Sequence, residues 1–370
     1  MNNRKTYAMI DCDALAHNLK CIKKKTSKAL IAVLKANAYG HGDLPVAEIA
    51  MREGCIMVAV SSLDEAIALR NQGFQDEILI LGYVDPKDFD EAKKAHVTLS
   101  VISFDWIKEL LVLHKDLSGM SFHIKIDSGM NRIGLKLQEE INTTIQLIED
   151  YQGIVEGIFS HYACADEDSK DMCEKQFDFF KKIVLETHHA FKWIHIENSA
   201  AVVSYEDDFT NAARIGLVMY GISPVECSLD VNPVLSLVSH ISCIKKVHQG
   251  ETIGYGATYT ANKECIIATL PIGYADGLLR ANQSRCVFCD GEYAPIVGRI
   301  CMDQCMIQLN HWVEVNTPVE IISQRIPLTA MAKDLNTIPY EILCLLSDRI
   351  TRIFLQNGKE IKRINQRLHH

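Results

Sequence analysis

Several ionisable and hydroxyl side chains stand where short apolar segments of the sequence end. Lys35 follows ALIAVL, Lys125 ends SFHIK and His161 ends IVEGIFSH. A lysine in an apolar strand is costly to bury as an ion, so its pKa falls and its neutral amine can form a Schiff base with a carbonyl compound. The alternative is a strand-end lysine with a buried stem and a solvated charge. Polar residues at comparable positions are Asp127, Arg132, Asn198, Ser199 and Arg214.

A regular alternation of elements must position these residues. Continuous apolar strands that alternate with amphipathic helices predict a parallel sheet covered on both faces. Eight such strands within about 200 residues favour a (β/α)8 TIM barrel over an open sheet. Because active sites of such barrels lie at the carboxyl ends of the strands, we expect the polar residues to converge there. The eight apolar segments are 29–36, 55–61, 77–83, 97–102, 120–127, 154–161, 193–197 and 212–219.

The residue pattern of the sequence changes after about residue 235. Strand-like segments then alternate with Gly, Pro and Asn, and no long helical period returns until about residue 327. This pattern predicts a second, mainly β domain. We therefore expect an α/β chain with an N-terminal barrel over residues 1–235 and a β-strand-rich domain over residues 236–370.

Composition excludes several classes of protein. The chain has 370 residues, 48% of them hydrophobic, and a formal net charge of −9, which argues against disorder and against a nucleic-acid partner. The start, MNNRKTYAMID, lacks the apolar segment of a secretory signal. No stretch reaches the ~18 apolar residues needed to span a bilayer. We expect a cytoplasmic protein with no membrane segment in this chain.

The 13 cysteines are scattered, which favours reduced thiols over a disulfide framework. Cys286 and Cys289 form a CxxC, and Cys301 and Cys305 follow as CxxxC. A zinc ribbon would need a second close CxxC at a longer interval. We therefore favour a thiol-rich β-hairpin over a zinc site and expect no bound metal.

Longer motifs occur along the whole chain. They are AVLKANAYGHG (32–42), KIDSGMNRIG (125–134), SHYACADE (160–167), ENSAA (197–201), ARIGLVMYG (213–221), GYGATYTA (254–261), PIGYADG (271–277) and VGRICMDQ (297–304). In this order they resemble the motifs of the alanine racemase family, and the resemblance runs from residue 10 to the last predicted helix. The family implies a barrel followed by a β domain, pyridoxal 5'-phosphate as cofactor, a small amino-acid substrate and a homodimer with shared active sites.

The resemblance also implies catalytic and cofactor-binding residues. Lys35 would carry the cofactor and serve one face of the substrate Cα, and Tyr255 of the partner subunit would serve the other. A tyrosine with a pKa near ~10 needs help to act as a base at neutral pH, which His161 and Arg214 would supply. Arg214 would also face the pyridine nitrogen of the cofactor. The implied cofactor-binding residues are Lys35, Tyr39, Asn198, Ser199, Arg214, Gly216 and Leu217.

The implied substrate contacts come from both parts of the chain. Arg132 would hold the substrate carboxylate together with Met302 of the partner subunit. Tyr274 would narrow access to the site. Lys125 matches a residue that many family members carry in carbamylated form, bracing the arginine matching Arg132. The alternative is an unmodified strand-end lysine.

The last predicted helix departs from the family pattern. It reads CLLSDRITRIF, with Asp348 where family members typically have a tyrosine that contacts phosphate and closes the pocket around a methyl group. A smaller polar acceptor leaves room for a substrate hydroxyl, which implies activity on serine; a solvent-facing Asp348 without a role is the alternative. Polar substitution here also resembles the membrane-anchored serine/alanine racemases of vancomycin-resistance systems, whose soluble domain is of this type.

The implied function is the interconversion of L- and D-alanine, serine or both, which supplies D-amino acids for peptidoglycan precursors. Two alternatives stay open at this point. One is a barrel-type pyridoxal-phosphate decarboxylase, against which the tyrosine of GYGATY and the VGRICMD loop argue. The other is a non-catalytic cofactor-homeostasis or sensor protein, but its barrel relatives lack the second domain.

Overall fold

The structure of the chain is a computed structural model that describes residues 4–226 and 228–368. Its strands, numbered β1 to β20 in chain order, are Thr6–Asp11, Ala29–Val33, Met57–Val60, Ile78–Ile80, Thr98–Val101, Ser121–Lys125, Ile154–Phe159, Trp193–His195, Ala212–Ile215, Leu235–His240, Cys243–Val247, Thr252–Ile253, Tyr259–Thr260, Cys265–Leu270, Cys286–Cys289, Glu292–Val297, Cys305–Leu309, Pro318–Ile322, Thr351–Gln356 and Lys359–Ile364. Eight of them, β2 to β9, close into a parallel barrel in chain order.

Helices follow most of the barrel strands. Two of them begin at a serine whose hydroxyl accepts a hydrogen bond from a backbone N–H three residues on: Ser62 from Glu65 at 3.3 Å, and Ser103 from Trp106 at 3.2 Å. Such caps satisfy N–H groups that the first turn leaves without partners. The helices are Cys12–Lys25 (α1), Asp43–Arg52, Leu63–Asn71, Phe89–Lys94, Phe104–Leu113, Gln138–Asp150, Asp171–Glu186, Ser199–Ser204, Leu328–Asp334 and Pro339–Cys344.

The chain divides into two compact units. The barrel unit contains residues 15–38 and 43–232. Strand β2 pairs with β9, with Ala32 opposite Ile215, so the predicted barrel is confirmed. All four residues of β3 are buried, as expected for a parallel strand covered on both faces. Several predicted apolar segments extend past the carboxyl end of their strand, because the residues that follow the strand are also apolar.

The β unit contains the residues before Leu15, residues 39–42 and the residues from Pro233 onward. Its main sheet has ten strands in the order β11-β14-β17-β16-β15-β18-β10-β1-β19-β20, and β12 and β13 form a small second sheet. The predicted division gave all of residues 1–235 to the barrel, but β1 lies between β10 and β19, with Ala8 opposite Leu237 and Arg352. Its alternating burial fits a strand, and alternation alone does not indicate which sheet a strand joins.

Among residues 4–226 and 228–368, no helix is both long enough and apolar enough to cross a bilayer.

Candidate active site

Lys35 stands at the carboxyl end of β2 and is exposed in this chain. The four residues after it form a left-handed turn, with φ of 54°, 55°, 52° and 52° at Ala36, Asn37, Ala38 and Tyr39. This conformation costs about 1–2 kcal/mol for each residue with a Cβ, so the surroundings must hold it. The Ala36 N–H donates to Glu65 Oε1 at 2.7 Å, and the Asp43 N–H donates to Asn37 Oδ1 at 3.0 Å.

Arg214, in β9, is the centre of a buried hydrogen-bond network. Its Nη1 donates to His195 Nδ1 at 2.5 Å, and its Nη2 donates to His161 Nδ1 at 3.1 Å. Nη2 also donates to the carbonyl oxygens of Ser160 at 2.7 Å and Ile196 at 3.0 Å. Burial lowers the pKa of Arg214 to about 9, so the guanidinium remains a cation at neutral pH.

The histidines around this cation are held neutral. Burial, and then the charge of Arg214, keep the pKa of His161 and that of His195 well below the ordinary value. Because Arg214 donates to Nδ1 of both rings, each neutral ring carries its proton on Nε2. The Nε2 of His195 lies 3.0 Å from Nδ1 of His123, whose pKa burial lowers to about 3. Of the residues in this network, Arg214, His195 and His123 are buried and His161 is half-buried, with its proton on Nε2.

Lys125 ends β6 and is buried, with its Nζ donating to the Ile126 carbonyl at 2.6 Å and lying 5.5 Å from the ring centre of Phe159. Burial, and then the charge of Arg214, lower its pKa to about 7. The charge of Arg132 lowers the pKa of Lys125 and of Arg214 as well. The predicted cationic residues therefore act on one another electrostatically.

Lys35 belongs to the same electrostatic group, because its charge contributes to the lowered pKa of His161. The barrel thus brings Lys35, Lys125, Arg132, His161 and Arg214 within mutual influence, as expected for residues that end neighbouring strands. Asp127 stabilises the loop that follows it, because its Oδ1 accepts hydrogen bonds from the N–H groups of Gly129 at 3.0 Å and Asn131 at 2.9 Å.

The predicted phosphate residues of the barrel lie after β8 and β9. Ser199 is buried, and its Oγ accepts hydrogen bonds from the N–H groups of Gly216 at 2.9 Å and Val218 at 3.4 Å. Asn198 caps the helix Ser199–Ser204, accepting from the Ala201 N–H at 3.0 Å. Leu217 follows Gly216 at the start of a short 3-10 helix, Leu217–Tyr220. A serine hydroxyl beside backbone N–H groups suits an oxyanion.

Tyr39, the remaining predicted phosphate residue, is counted in the β unit. It is buried, and its ring centre lies 5.7 Å from that of Tyr340. Burial raises its pKa, so its hydroxyl stays protonated and can donate a hydrogen bond.

Three further predicted residues lie on exposed loops of the β unit. Tyr255 is 71% exposed, and Tyr274 and Met302 are also exposed. Two backbone hydrogen bonds join the loop of Tyr274 to the loop of Met302. The Tyr274 N–H donates to the Cys301 carbonyl at 3.1 Å, and the Ala275 N–H donates to the Met302 carbonyl at 3.0 Å. The loops therefore hold Tyr274 and Met302 at fixed spacing.

Asp348 is exposed and forms an ion pair, its Oδ2 lying 3.1 Å from Nε of Arg367. Its neighbour Arg349 points to two other carboxylates, Asp303 at 2.6 Å and Asp276 at 3.5 Å. Asp276 is fully buried and also pairs with Arg4. Sequence reasoning found Asp348 through its departure from the family motif, but it missed Asp276 and its arginine partners.

The Cys286–Cys289 pair lies within the single strand β15, with Cys286 exposed and Cys289 buried. Residues three apart in a strand point to opposite faces, so this pair does not form a metal site together. This agrees with the expected thiol-rich hairpin. His195 and His123, which extend the Arg214 network, were also missed; the alternation in WIHIE and SFHIK was the available signal.

Comparisons with known proteins identify relatives of the whole chain. The model of the alanine racemase N-terminal domain matches residues 10–224, and that of the alanine racemase C-terminal domain matches residues 234–354. An alanine racemase from Anoxybacillus flavithermus is 41% identical over 97% of both chains.

Solved structures share the fold. An alanine racemase from Bacillus anthracis with bound L-Ala-P superposes with a TM-score of 0.92 at 38% identity, covering 98% of both chains. A histidine racemase from Leuconostoc mesenteroides superposes with a TM-score of 0.90 at 28% identity, covering 96% of this chain and 99% of its own.

Proposed function

Because this chain belongs to the alanine racemase family, we propose that it is an amino-acid racemase that interconverts L- and D-alanine. The observation that carries the proposal is the Arg214 network, in which a buried cation holds His161 neutral beside Lys35. Such a site can move protons at a carbon atom next to a carboxylate without a charged histidine. D-alanine made in the cytoplasm would serve peptidoglycan precursors.

The enzymes of this family depend on pyridoxal 5'-phosphate, and the residues present fit it. The Ser199 hydroxyl lies beside backbone N–H groups at the barrel mouth, which suits a phosphate. Lys35 is exposed at a strand end, where its amine can bond the cofactor aldehyde. When bound, the cofactor supplies an electron sink for the charge left at the substrate Cα. The residues proposed to hold it are Lys35, Tyr39, Asn198, Ser199, Arg214, Gly216 and Leu217.

Two residues are proposed to exchange protons with Cα from opposite faces. Lys35 serves one face, and Tyr255 of the partner subunit serves the other. The Nε2–H of His161 would donate to the phenolate oxygen of this tyrosine and so stabilise its charged form. Arg214 supports this donor because its hydrogen bond to Nδ1 fixes the His161 tautomer.

A homodimer follows from the same assignment. Tyr255, Tyr274 and Met302 are exposed on loops of one unit, although large apolar side chains gain from burial. We infer that a second copy of this chain buries them and that they complete its site. Tyr274 would restrict access, and Met302 would face the substrate carboxylate together with Arg132.

Lys125 is proposed to be carbamylated. A neutral amine attacks CO2, forming an N–C bond and releasing one proton to water, so a lowered pKa favours the reaction at neutral pH. The product is an anion, which the charges of Arg132 and Arg214 would stabilise. The carbamate would then hold Arg132 toward the substrate.

Asp348 is proposed to relax the preference for alanine so that serine is also accepted. The ion pair with Arg367 compensates the Asp348 charge, which would otherwise disfavour an anionic ligand. A carboxylate oxygen can also accept a hydrogen bond from the serine hydroxyl.

The match of the C-terminal domain model argues against a cofactor-homeostasis protein.

A racemisation assay tests the proposal. The purified chain, supplied with the cofactor, is incubated separately with L-alanine and L-serine, and both enantiomers and any CO2 are quantified. We expect D-alanine, some D-serine and no CO2. The Lys35→Ala variant should be inactive, whereas Lys94→Ala, at an exposed helical lysine, should retain full activity. CO2 release without enantiomer exchange would identify a decarboxylase instead.

A further inference from the structure

A second group of reactive side chains lies apart from every residue assigned above. His17 and Cys21 stand one turn apart on α1, and Asp230 approaches them from the segment that follows β9. The His17 Nε2 lies 3.2 Å from Asp230 Oδ2 and 3.4 Å from Cys21 Sγ. Among residues 4–226 and 228–368, this is the group of three histidine, cysteine or acidic side chains close enough to share one metal ion.

The spacing of these atoms fits a tetrahedral cation. Zn²⁺ forms bonds of about 2.0–2.1 Å to nitrogen or oxygen and about 2.3 Å to sulfur, which at the tetrahedral angle places its ligand atoms about 3.3–3.6 Å apart. The two distances at His17 are close to these separations, and all three ligand atoms lie within 4.8 Å of one another. No large rearrangement is needed for one ion to contact all three.

The positions of the ligands along the chain support the same interpretation. Two metal ligands four residues apart on a helix share one face, which is how a helix presents a pair of ligands to zinc. The third ligand comes from a segment distant in sequence, so an ion would join α1 to residue 230. The Asp230 carbonyl oxygen, 3.0 Å from His17 Nε2, is a further oxygen at the same place.

We propose that His17, Cys21 and Asp230 form a binding site for a divalent cation of the zinc class. Thiolate, imidazole and carboxylate together favour Zn²⁺ over Mg²⁺ or Ca²⁺, which prefer oxygen alone. On binding, the Cys21 thiol loses its proton to water and a metal–sulfur bond forms, with no change in oxidation state. His17 and Cys21 are partly exposed and Asp230 is exposed, which gives the ion a path of entry and leaves a coordination position for water.

The sequence alone predicts no metal, because its short cysteine motifs are confined to Cys286, Cys289, Cys301 and Cys305. The three ligands lie at positions 17, 21 and 230, and no short motif connects them. The site does not depend on the proposed racemase activity, because none of its residues belongs to the Lys35 and Arg214 group.

Metal binding to the cofactor-loaded protein tests the site. Protein stripped of metal by a chelator is dialysed against Zn²⁺ alone, with a reductant that does not bind metals, and bound zinc is counted by atomic absorption. We expect one more equivalent in the wild-type chain than in Cys21→Ala or His17→Gln. Losing a ligand should weaken binding by more than the about 10–100-fold typical of losing an outer-shell partner. Cys243→Ala, at an exposed cysteine of β11, is the matched control and should keep the ion.

Two further measurements separate ligation from a general loss of structure. Co²⁺ alone should give a thiolate charge-transfer band in the difference spectrum of the wild type and of Cys243→Ala, but not of Cys21→Ala. Zn²⁺ should also raise the Tm of the wild type and leave that of Cys21→Ala unchanged, because an ion bound only to the folded state stabilises it. Equal zinc content in wild type, Cys21→Ala and His17→Gln would overturn the proposal, as would a Co²⁺ spectrum without a thiolate band.

Discussion

Lys125 offers a test of the barrel's electrostatics in which the size of the effect can be worked out. Its pKa of about 7 against the ordinary 10.5 makes the ammonium form less favourable by about 5 kcal/mol. At pH 7 about half of the Lys125 side chains are then neutral, against about one in 3,000 for an ordinary lysine. At this pH Lys125 should therefore react with CO2 about 1,500-fold faster than an ordinary lysine of equal intrinsic reactivity.

The pH dependence of this reaction distinguishes Lys125 from surface lysines. At fixed dissolved CO2 the rate follows the neutral fraction, so it should fall about fivefold from pH 7 to 6 and rise only about twofold from pH 7 to 8. An ordinary lysine would instead gain about tenfold for each pH unit over the same range. The assay is carbon-13 NMR of the carbamate carbonyl after addition of labelled CO2.

Variants give the assay its controls. Lys125→Arg should remove the carbamate signal, and Lys94→Arg should leave it intact. Arg132→Ala should shorten the lifetime of the carbamate after CO2 is withdrawn, because it removes a cation that stabilises the carbamate anion. The charge of Arg132 also lowers the pKa of Lys125, so the variant favours the protonated amine. The reasoning is refuted if the signal survives in Lys125→Arg, or if the rate continues to rise tenfold per pH unit up to pH 9.

Three other predictions concern the network, the substrate and the stability of the barrel. Arg214→Lys should lower kcat/KM for alanine by about 100-fold or more, because His161 Nδ1 loses its donor; a change below threefold in steady-state kinetics would contradict this. Asp348→Tyr should lower the ratio of serine to alanine turnover, and an equal ratio in both proteins would remove the role given to Asp348. Lys28→Met should reduce the free energy of unfolding at pH 8 by about 3–5 kcal/mol, because Lys28 Nζ lies 2.6 Å from Glu197 and 2.5 Å from Asp207 in a buried site. Burial raises the pKa of Glu197 to about 7, so its charged form is disfavoured and the loss measured by urea denaturation should be smaller at pH 5.

Much of the fold could be predicted because barrel strands carry a strong signal. Strands buried on both faces read as continuous apolar segments, and β3 is buried at every position. Strand ends were less predictable: segment 212–219 contains the strand Ala212–Ile215 and then most of the 3-10 helix Leu217–Tyr220. Both are buried, so hydrophobicity does not mark the point where the sheet ends. The predicted domain boundary placed residues 6–11 with the barrel, whereas β1 pairs with β10 and β19, because pairing between distant segments leaves no local pattern.

The site was predictable where chemistry coincided with a strand end and unpredictable where it depended on contacts across the barrel. Lys35, Lys125 and His161 follow apolar segments and could be found from position alone. His195 and His123 face the same interior, but nothing in WIHIE or SFHIK indicates that His195 Nε2 and His123 Nδ1 lie 3.0 Å apart. The Asp348 partner Arg367 lies 19 positions further on, and ion pairs over that distance depend on how the chain folds back.

The charge of the barrel mouth explains why histidine appears there in neutral form. Lys35, Lys125, Arg132 and Arg214 concentrate positive charge in a chain whose net charge is −9. A protonated His161 would add a further cation in a buried place, which both burial and Arg214 oppose. Neutral His161 still donates through Nε2–H, so it can stabilise a developing negative charge without adding to the repulsion. An anionic carbamate at Lys125 would reduce that repulsion. If Lys125 carries the proposed carbamate, withdrawing CO2 should weaken the proposed contact of Arg132 with the substrate before it affects the proposed proton exchange through Lys35 and Tyr255.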